Sequence, residues 1–253
     1  MKAWRIHKHG GSEVLKYESV NIPPLKPDEA LVRVRAVGLN HLDVWVRKGV
    51  PGHQFPLPIT PGCDVSGTIE TFGSAKDLNS FKQGDSVIAD PTLSCGKCSF
   101  CKTNQEPLCK KFGIIGETQD GGCAEFVVVP IKNLIKLPPN LTHSQAAALG
   151  IPYVTAWSML IAKGKLSAEQ LVLIHAAGSG VSMAAIQIAK HYKAKVITTV
   201  STEQKAVKAK ELGADFVIRY DQYSFKDEVK KICKTADKRG VDLAIDHVGR
   251  DTF

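Results

Sequence analysis

The sequence predicts an α/β chain in two parts: an irregular antiparallel β-barrel, then an incomplete doubly wound parallel sheet. Three observations predict it. After about residue 148 strand-like and helix-like segments alternate, whereas before it only short alternating runs appear between turns. Residues 171–190, LVLIHAAGSGVSMAAIQIAK, pass from an apolar strand through very small side chains into a helical pattern. Four cysteines, Cys95, Cys98, Cys101 and Cys109, crowd into one short segment.

The first part, residues 1–148, is built from short strands at 3–6, 31–37, 66–72, 86–89 and 126–129. Turn-rich pairs separate them, among them Pro23-Pro24, Pro51-Gly52, Pro61-Gly62 and Gly121-Gly122. Arg33 and Arg35 alternate with Val32 and Val34, which gives that strand one wet face. The boundary falls near Pro138-Pro139, ahead of the apolar run at 146–149 that opens the second domain, 149–253.

The cysteines follow C-x2-C-x2-C-x7-C, at about residues 95–109. Short loops at this spacing bring four thiolates around one Zn2+ and leave no open position, so the expected role is structural. Lys97, Lys102, Lys110 and Lys111 lie beside the cluster and offset its negative charge. A disulfide pair and an iron–sulfur site are the alternative uses of this pattern.

The second part opens with an apolar strand at 171–174, followed by Ala176, Ala177, Gly178, Ser179, Gly180 and Val181. Ala185, Ile188 and Ala189 then share a helix face. A turn with so little side chain lets backbone N–H groups approach a pyrophosphate, and the helix N-terminus favours the anion. Gly178, Ser179, Gly180 and Val181 are therefore the candidate cofactor-binding residues. The G-x-G-x-x-G pattern fails at its third glycine, which is Met183. Strands at 195–200, 215–218 and 241–247 alternate with helices at 202–212, closed by Gly213, and 225–235. Such alternation predicts a parallel Rossmann sheet whose ligand sits where strand order reverses. The strand at 195–200 ends without the acid that binds ribose hydroxyls in NAD-binding folds. Ser201 and Lys205 follow instead and suit a 2′-phosphate, so the expected coenzyme is NADPH. Glu203 is the nearest acid, and its place in the first helical turn is explained by the macrodipole.

The net charge of +8 comes from lysines spread along the chain, with no basic run interleaved with aromatics. Nucleic-acid binding is therefore not expected. No apolar stretch reaches membrane-span length and no secretory signal pattern is read. Seven cysteines, four of them clustered, fit metal ligation in a reducing cytoplasm better than disulfides.

A barrel, a four-cysteine lobe and a Rossmann unit in this order resemble the medium-chain dehydrogenase/reductase superfamily. The resemblance runs along the whole chain: Pro61 to Gly67, FKQGDSV at 81–87, the lobe, 121–126, Thr155-Ala156-Trp157, the glycine turn and GVDLAIDHVG at 240–249. It implies a GroES-like catalytic domain and a nicotinamide cofactor, with a homo-oligomer for a full-length form. Zinc alcohol dehydrogenases of the superfamily hold a catalytic zinc at positions matching Asn40, Cys63 and Ile151, with an acid matching Asp64 nearby. Only Cys63 of that trio is a good ligand, and the usual relay hydroxyl falls on Leu42. NHLDVWVRKG at 40–49 is instead similar to the quinone oxidoreductase branch, which reduces activated double bonds without a metal. There the resemblance implies that Asn40 lies near the nicotinamide, Thr155 beside its ring, Trp45 at the substrate and Tyr220 at the 2′-phosphate. The four-cysteine lobe departs from that branch.

The implied reaction is hydride transfer from NADPH to a quinone or an α,β-unsaturated carbonyl, with Asn40, Trp45 and Thr155 as catalytic candidates. Asn40 would donate a hydrogen bond to the developing oxygen or fix the nicotinamide ribose. Asparagine also caps helices well, and one is expected to start near His41. Asp43 and Arg47 have the spacing of a plain i,i+4 surface pair, and Trp45 suits the core as well as a pocket wall. Cys63 suits a buried small hydrophobe, and His41, His53 and His175 structural or solvent-facing places. A zinc site remodelled from Cys63, Asp64, His41 and Asp43, and a nucleotide-binding protein without catalysis, are the alternatives. Six strands make a full fold of this kind, so about a quarter of such a protein is expected beyond Phe253, leaving the fourth strand as a bare edge.

Overall fold

The computed structural model describes residues 1–74, 80–249 and 252. The chain divides into two compact units, Met1–Ile151 and Pro152–Phe253.

In the first unit β1 (Lys2–Ile6) pairs antiparallel with β2 (Leu15–Ser19). The main sheet holds β3 (Glu29–Gly38), β4 (Asp64–Phe72), β5 (Ser86–Ala89), β8 (Phe126–Pro130) and β9 (Leu134–Lys136), in the antiparallel order β8-β3-β4-β5-β9. A small pair, β6 (Thr92–Leu93) with β7 (Gly113–Ile114), closes the base of the cysteine loop. Register shifts at Leu31/Val32 and Val34/Ala36 bend β3, as bulges do, and curl the sheet. Val32, Val65, Ile69, Val87, Val127 and Val129 fill the concave side, while Arg33 meets Glu70 at 3.0 Å outside it. The wet face expected for this strand is therefore present. β2 and β9 carry too little alternation to stand out in the sequence, and pairing to a neighbour makes them strands.

Three helices complete this unit and its boundary: α1 (His41–Lys48), α2 (Ser99–Lys102) and α3 (His143–Ala146), the last capped by Thr142 with Gln145. α4 (Gly150–Trp157) contains the division between the units.

The second unit has a parallel sheet in the order β12-β11-β10-β13, formed by β10 (Leu171–Ile174), β11 (Lys195–Val200), β12 (Phe216–Arg219) and β13 (Leu243–Ile245). Val172 and Ile174 pack on one side with Ala184, Ala185 and Ala189 of α5 (Gly180–His191). Leu171 and Leu173 pack on the other with Phe225, Val229 and Ile232 of α7 (Phe225–Thr235). Burial on both faces explains the unbroken apolar run of β10. α6 (Glu203–Glu211) starts at Thr202, whose hydroxyl accepts the Lys205 N–H, and is followed by Gly213 at φ +99°. The fourth strand is shorter than the expected 241–247, because only residues 243–245 register against β10.

Candidate functional site

Asn40 stands between the end of β3 and the start of α1, as the helix N-cap. Its backbone N–H donates to Asp43 Oδ2 at 2.7 Å, one half of a capping box. The side chain is used differently. Asn40 Nδ2 donates to Asp64 Oδ2 at 2.9 Å and to Cys63 Sγ at 3.3 Å. The helix cap expected of Asn40 is therefore present, while its amide is directed to Asp64 and Cys63.

Asp64 is 2% exposed, and register places it opposite Gly38. Its Oδ1 accepts the Ile151 N–H at 2.8 Å. Gly150 leaves the space for this carboxylate, since a Cβ there would lie 2.1 Å from Asp64 Oδ1. Burial is the main cause that pushes the Asp64 carboxyl up to about 6, against the hydrogen bonds from Ile151 and Asn40. Burial likewise raises Asp43, whose Oδ1 accepts the Gly62 N–H at 2.7 Å. Asp43 thus ties the start of α1 to the Pro61-Gly62 turn, and the expected Asp43–Arg47 surface pair does not form. Arg47 Nη1 donates to the Gly10 carbonyl instead, at 3.0 Å. Cys63 is fully buried and its thiol is raised by desolvation, as expected of a small hydrophobe.

Trp45 is 52% exposed on α1 with His41 beside it, ring centroids 6.2 Å apart, so its core reading is overturned. The opposite face of this helix is the buried one, where Val46 packs with Ile6, Phe55 and Ile59. A cavity of about 790 Å3 on this unit is lined by Asn40, Asp43, Trp4, Tyr17, Val44 and Cys123 among others, and Trp45 is not in its wall.

Among the described residues, one group of three or more His, Cys, Asp or Glu side chains converges for metal binding, and it is the four-cysteine lobe. The remodelled site of Cys63, Asp64, His41 and Asp43 is not assembled: Asp43 and Asp64 turn to backbone N–H groups, and His41 to Trp45. In the lobe all four sulfurs lie within 4.8 Å of one another, with Cys98 to Cys101 at 3.5 Å and Cys95 to Cys101 at 3.8 Å. Four sulfurs tetrahedral about zinc stand about 3.8 Å apart, so the donor set fits that ion. Backbone N–H groups of Lys97 and Cys98 hold the Cys95 thiol down to about 6, and Lys111 N–H donates to Cys109 Sγ at 3.3 Å. These contacts favour the thiolate at Cys95 and Cys109, whereas burial raises the Cys101 thiol to about 11. No disulfide is formed by any of the seven cysteines.

In the second unit the turn after β10 runs through Ala176, at φ +56°, to Ser179, the N-cap of α5, with Gly180 and Val181 in the first helical turn. Gly178 has the Lys205 side chain against it, where a Cβ would meet Lys205 Cε at 3.0 Å. Lys205 Nζ donates to Ser201 Oγ at 3.2 Å. The turn, Ser201 and Lys205 are therefore gathered at the ends of β10 and β11. Tyr220 follows β12 and is 50% exposed. Glu203 is held by Arg219 Nη1 at 2.9 Å, and Arg219 also forks onto Asp221. Thr155 lies one turn beyond Pro152 on α4, and Pro152 borders Gly180. His175 is buried at the sheet end with Nδ1 3.2 Å from Thr199 Oγ1, a structural place.

His247 was not expected. Its Nε2 lies 3.1 Å from Ser179 Oγ and 3.4 Å from Ser182 Oγ, against the turn between β10 and α5. The GVDLAIDHVG motif contained it, but only the return of β13 beside β10 brings it to α5.

Residues 26–139 match the alcohol dehydrogenase GroES-like domain, and residues 180–253 the zinc-binding dehydrogenase domain. The chain is 32% identical to the NAD-dependent alcohol dehydrogenase of Sulfolobus acidocaldarius, over 99% of this chain and 72% of that one. It belongs to the medium-chain dehydrogenase/reductase superfamily. Within the superfamily it is also 33% identical to the quinone oxidoreductase of Homo sapiens, over 97% of this chain and 66% of the relative. A crystal structure of an NAD-dependent alcohol dehydrogenase superposes with a TM-score of 0.92 at 42% identity, covering 98% of this chain and 71% of the other. The Escherichia coli quinone oxidoreductase complexed with NADPH superposes at 0.80 and 28% identity, covering 100% and 68%. The chain spans about two thirds of the length of the quinone oxidoreductases it matches. The expected order of GroES-like barrel and Rossmann-type sheet is thereby shown.

Proposed function

We propose that this chain carries the barrel and nucleotide-binding parts of an NADPH-dependent oxidoreductase that passes hydride to a quinone or α,β-unsaturated carbonyl. The observation that carries this reading is the Asn40–Asp64–Cys63 cluster. Its side chains satisfy one another and the backbone, and they do not form the open three-ligand set that a catalytic zinc needs. A conjugated acceptor is already polarised, so holding donor and acceptor close suffices for transfer. NADPH, when bound, supplies the hydride.

The chain's own residues divide the remaining work. Gly178, Ser179, Gly180 and Val181 let backbone approach the pyrophosphate at the start of α5. Lys205 and Ser201 would hold the 2′-phosphate, with Tyr220 along its side. Thr155 orients the ring and Trp45 borders the substrate, as the resemblance implies. Both hydrogens of the Asn40 amide are engaged, which disfavours its use as a donor to the developing oxygen and favours its second role, fixing the ribose. Cys95, Cys98, Cys101 and Cys109 would hold one structural Zn2+. Small-molecule substrates, a cytoplasmic location and a homo-oligomeric full-length form complete the reading; no helix in the described residues is long and apolar enough to cross a membrane.

A second reading, zinc-dependent alcohol oxidation, is favoured by the four-cysteine lobe and by the 42%-identical alcohol dehydrogenase structure. The test is an assay of a quinone, an enone and a simple alcohol with matched coenzyme forms, alongside metal content. Turnover of either acceptor without added metal supports the proposal. Zinc-dependent turnover of the alcohol alone overturns it, and nucleotide binding without any turnover points to a non-catalytic protein.

A further inference from the structure

We propose that Asp64 is a positioning residue, whose carboxylate turns the Asn40 amide so that Asn40 meets a bound molecule only as an acceptor, through Oδ1. This deepens the oxidoreductase reading and, for the identity of the bound molecule, rests on it.

The argument is one of donor inventory. An ionised carboxylate accepts and cannot donate. Asp64 Oδ2 lies 2.9 Å from the Asn40 amide, so the group facing it must be the NH2. The opposite orientation would press two acceptor oxygens together in a buried place, where an unmet polar contact is costly. Cys63 Sγ takes the second amide hydrogen at 3.3 Å. No N–H of the side chain is then left over. Asn40 Oδ1 is the acceptor half of the capping box, facing the Asp43 N–H, and as an amide oxygen it keeps a second lone pair for another donor. Asn40 also lines the 790 Å3 cavity, which puts its side chain next to any molecule held there.

Asp64 is well held for this task. The Ile151 N–H at 2.8 Å fixes its other oxygen, and the absent Gly150 side chain gives that oxygen its space. The titratable groups near it are Cys63 and Asp43, and it makes no ion pair among the described residues. With nothing else to neutralise it, the carboxylate depends on these N–H donors, and Asn40 is the one that can turn. The chemistry selected is a neutral hydroxyl or amide donor, such as a ribose hydroxyl. A negatively charging oxygen would be repelled by Oδ1. Protonated Asp64 could instead donate to Oδ1 and release the amide N–H, so the orientation is coupled to one proton.

The experiment is NMR of the Asn40 side-chain amide in the ligand-free chain, assigned by its loss in Asn40→Asp. The expected result is nuclear Overhauser contact from the Nδ2 protons to the β-protons of Cys63 and Asp64. Exchange with solvent should be at least about tenfold slower than for an exposed asparagine, the scale of one hydrogen bond to a charged acceptor. The resonances should shift between pH 5 and 7, and Asp64→Asn should abolish that shift. Amide protons exchanging at the exposed rate, or lacking those contacts in the unmutated chain, would overturn the proposal even if Asp64→Asn failed to fold. Addition of NADPH distinguishes this inference from the reading beneath it. An amide signature that is present while NADPH fails to bind upholds the Asp64 role and removes the nucleotide reading.

Discussion

Lys205 Nζ donates to Ser201 Oγ at 3.2 Å, and its stem lies over Gly178 in the turn between β10 and α5. A cation is thus parked beside the segment where a 2′-phosphate is proposed to sit. Lys205→Ala is expected to weaken NADPH binding about tenfold, one charge-assisted contact, while NADH binding changes less than about twofold. Fluorescence titration with both coenzymes, repeated at higher salt, checks this, because an exposed pair must weaken on screening. Equal losses for NADH and NADPH would refute the 2′-phosphate role.

Metal content follows from the lobe. Elemental analysis is expected to return one zinc per chain, and Cys101→Ser to lose it. Chelation should lower the melting temperature and take up protons, since thiolates become thiols as the ion leaves. Two tightly held zincs per chain would restore a catalytic metal and remove the proposed function.

The pH dependence of stability has a definite sign. The Asp64 carboxyl is pushed from 3.8 to about 6 on folding, so between these values the folded chain holds a proton that the unfolded chain has lost. Stability contributed by Asp64 is therefore full below about pH 4 and declines as pH rises towards 6, by about 2–3 kcal/mol. Asp43, also raised, acts in the same direction, whereas His175 and His247, both lowered by burial, oppose it near neutrality. Urea melts of the parent and Asp64→Asn from pH 4 to 7 isolate the effect. The difference between them should move in favour of the variant as pH rises, and a constant difference would contradict the assignment.

Gly62 tests the turn that Asp43 grips. Its φ is +102°, and a Cβ would meet Cys123 N at 2.8 Å and Cys123 Sγ at 2.9 Å. Gly62→Ala is expected to destabilise by about 2–4 kcal/mol, from left-handed strain plus overpacking. Gly84, at φ +88° with nothing within 4 Å, is the control, and its alanine variant should lose only about 1–2 kcal/mol. Similar losses at both positions in denaturant melts would show that crowding against Cys123 is unimportant.

The sequence by itself determined the two-part architecture, the cysteine lobe and the small-residue turn between β10 and α5. β10, β11 and α7 match the expected limits because their signals are local: buried apolar runs, small residues between strand and helix, and the polar helical stretch at 225–235. The lobe was legible for the same reason, since its four cysteines are at most fourteen residues apart. What only the tertiary structure decided lies in contacts between distant segments. Asn40, Asp64 and Ile151 are joined across 24 and 87 residues, and no periodicity announces that an amide will face a carboxylate there. Spacing suggested that Asp43 and Arg47 would pair, yet two backbone N–H groups in a buried place hold Asp43 more firmly than an exposed ion pair would. His247 met Ser179 only because β13 pairs with β10, a parallel partnership set by packing on both faces of the sheet.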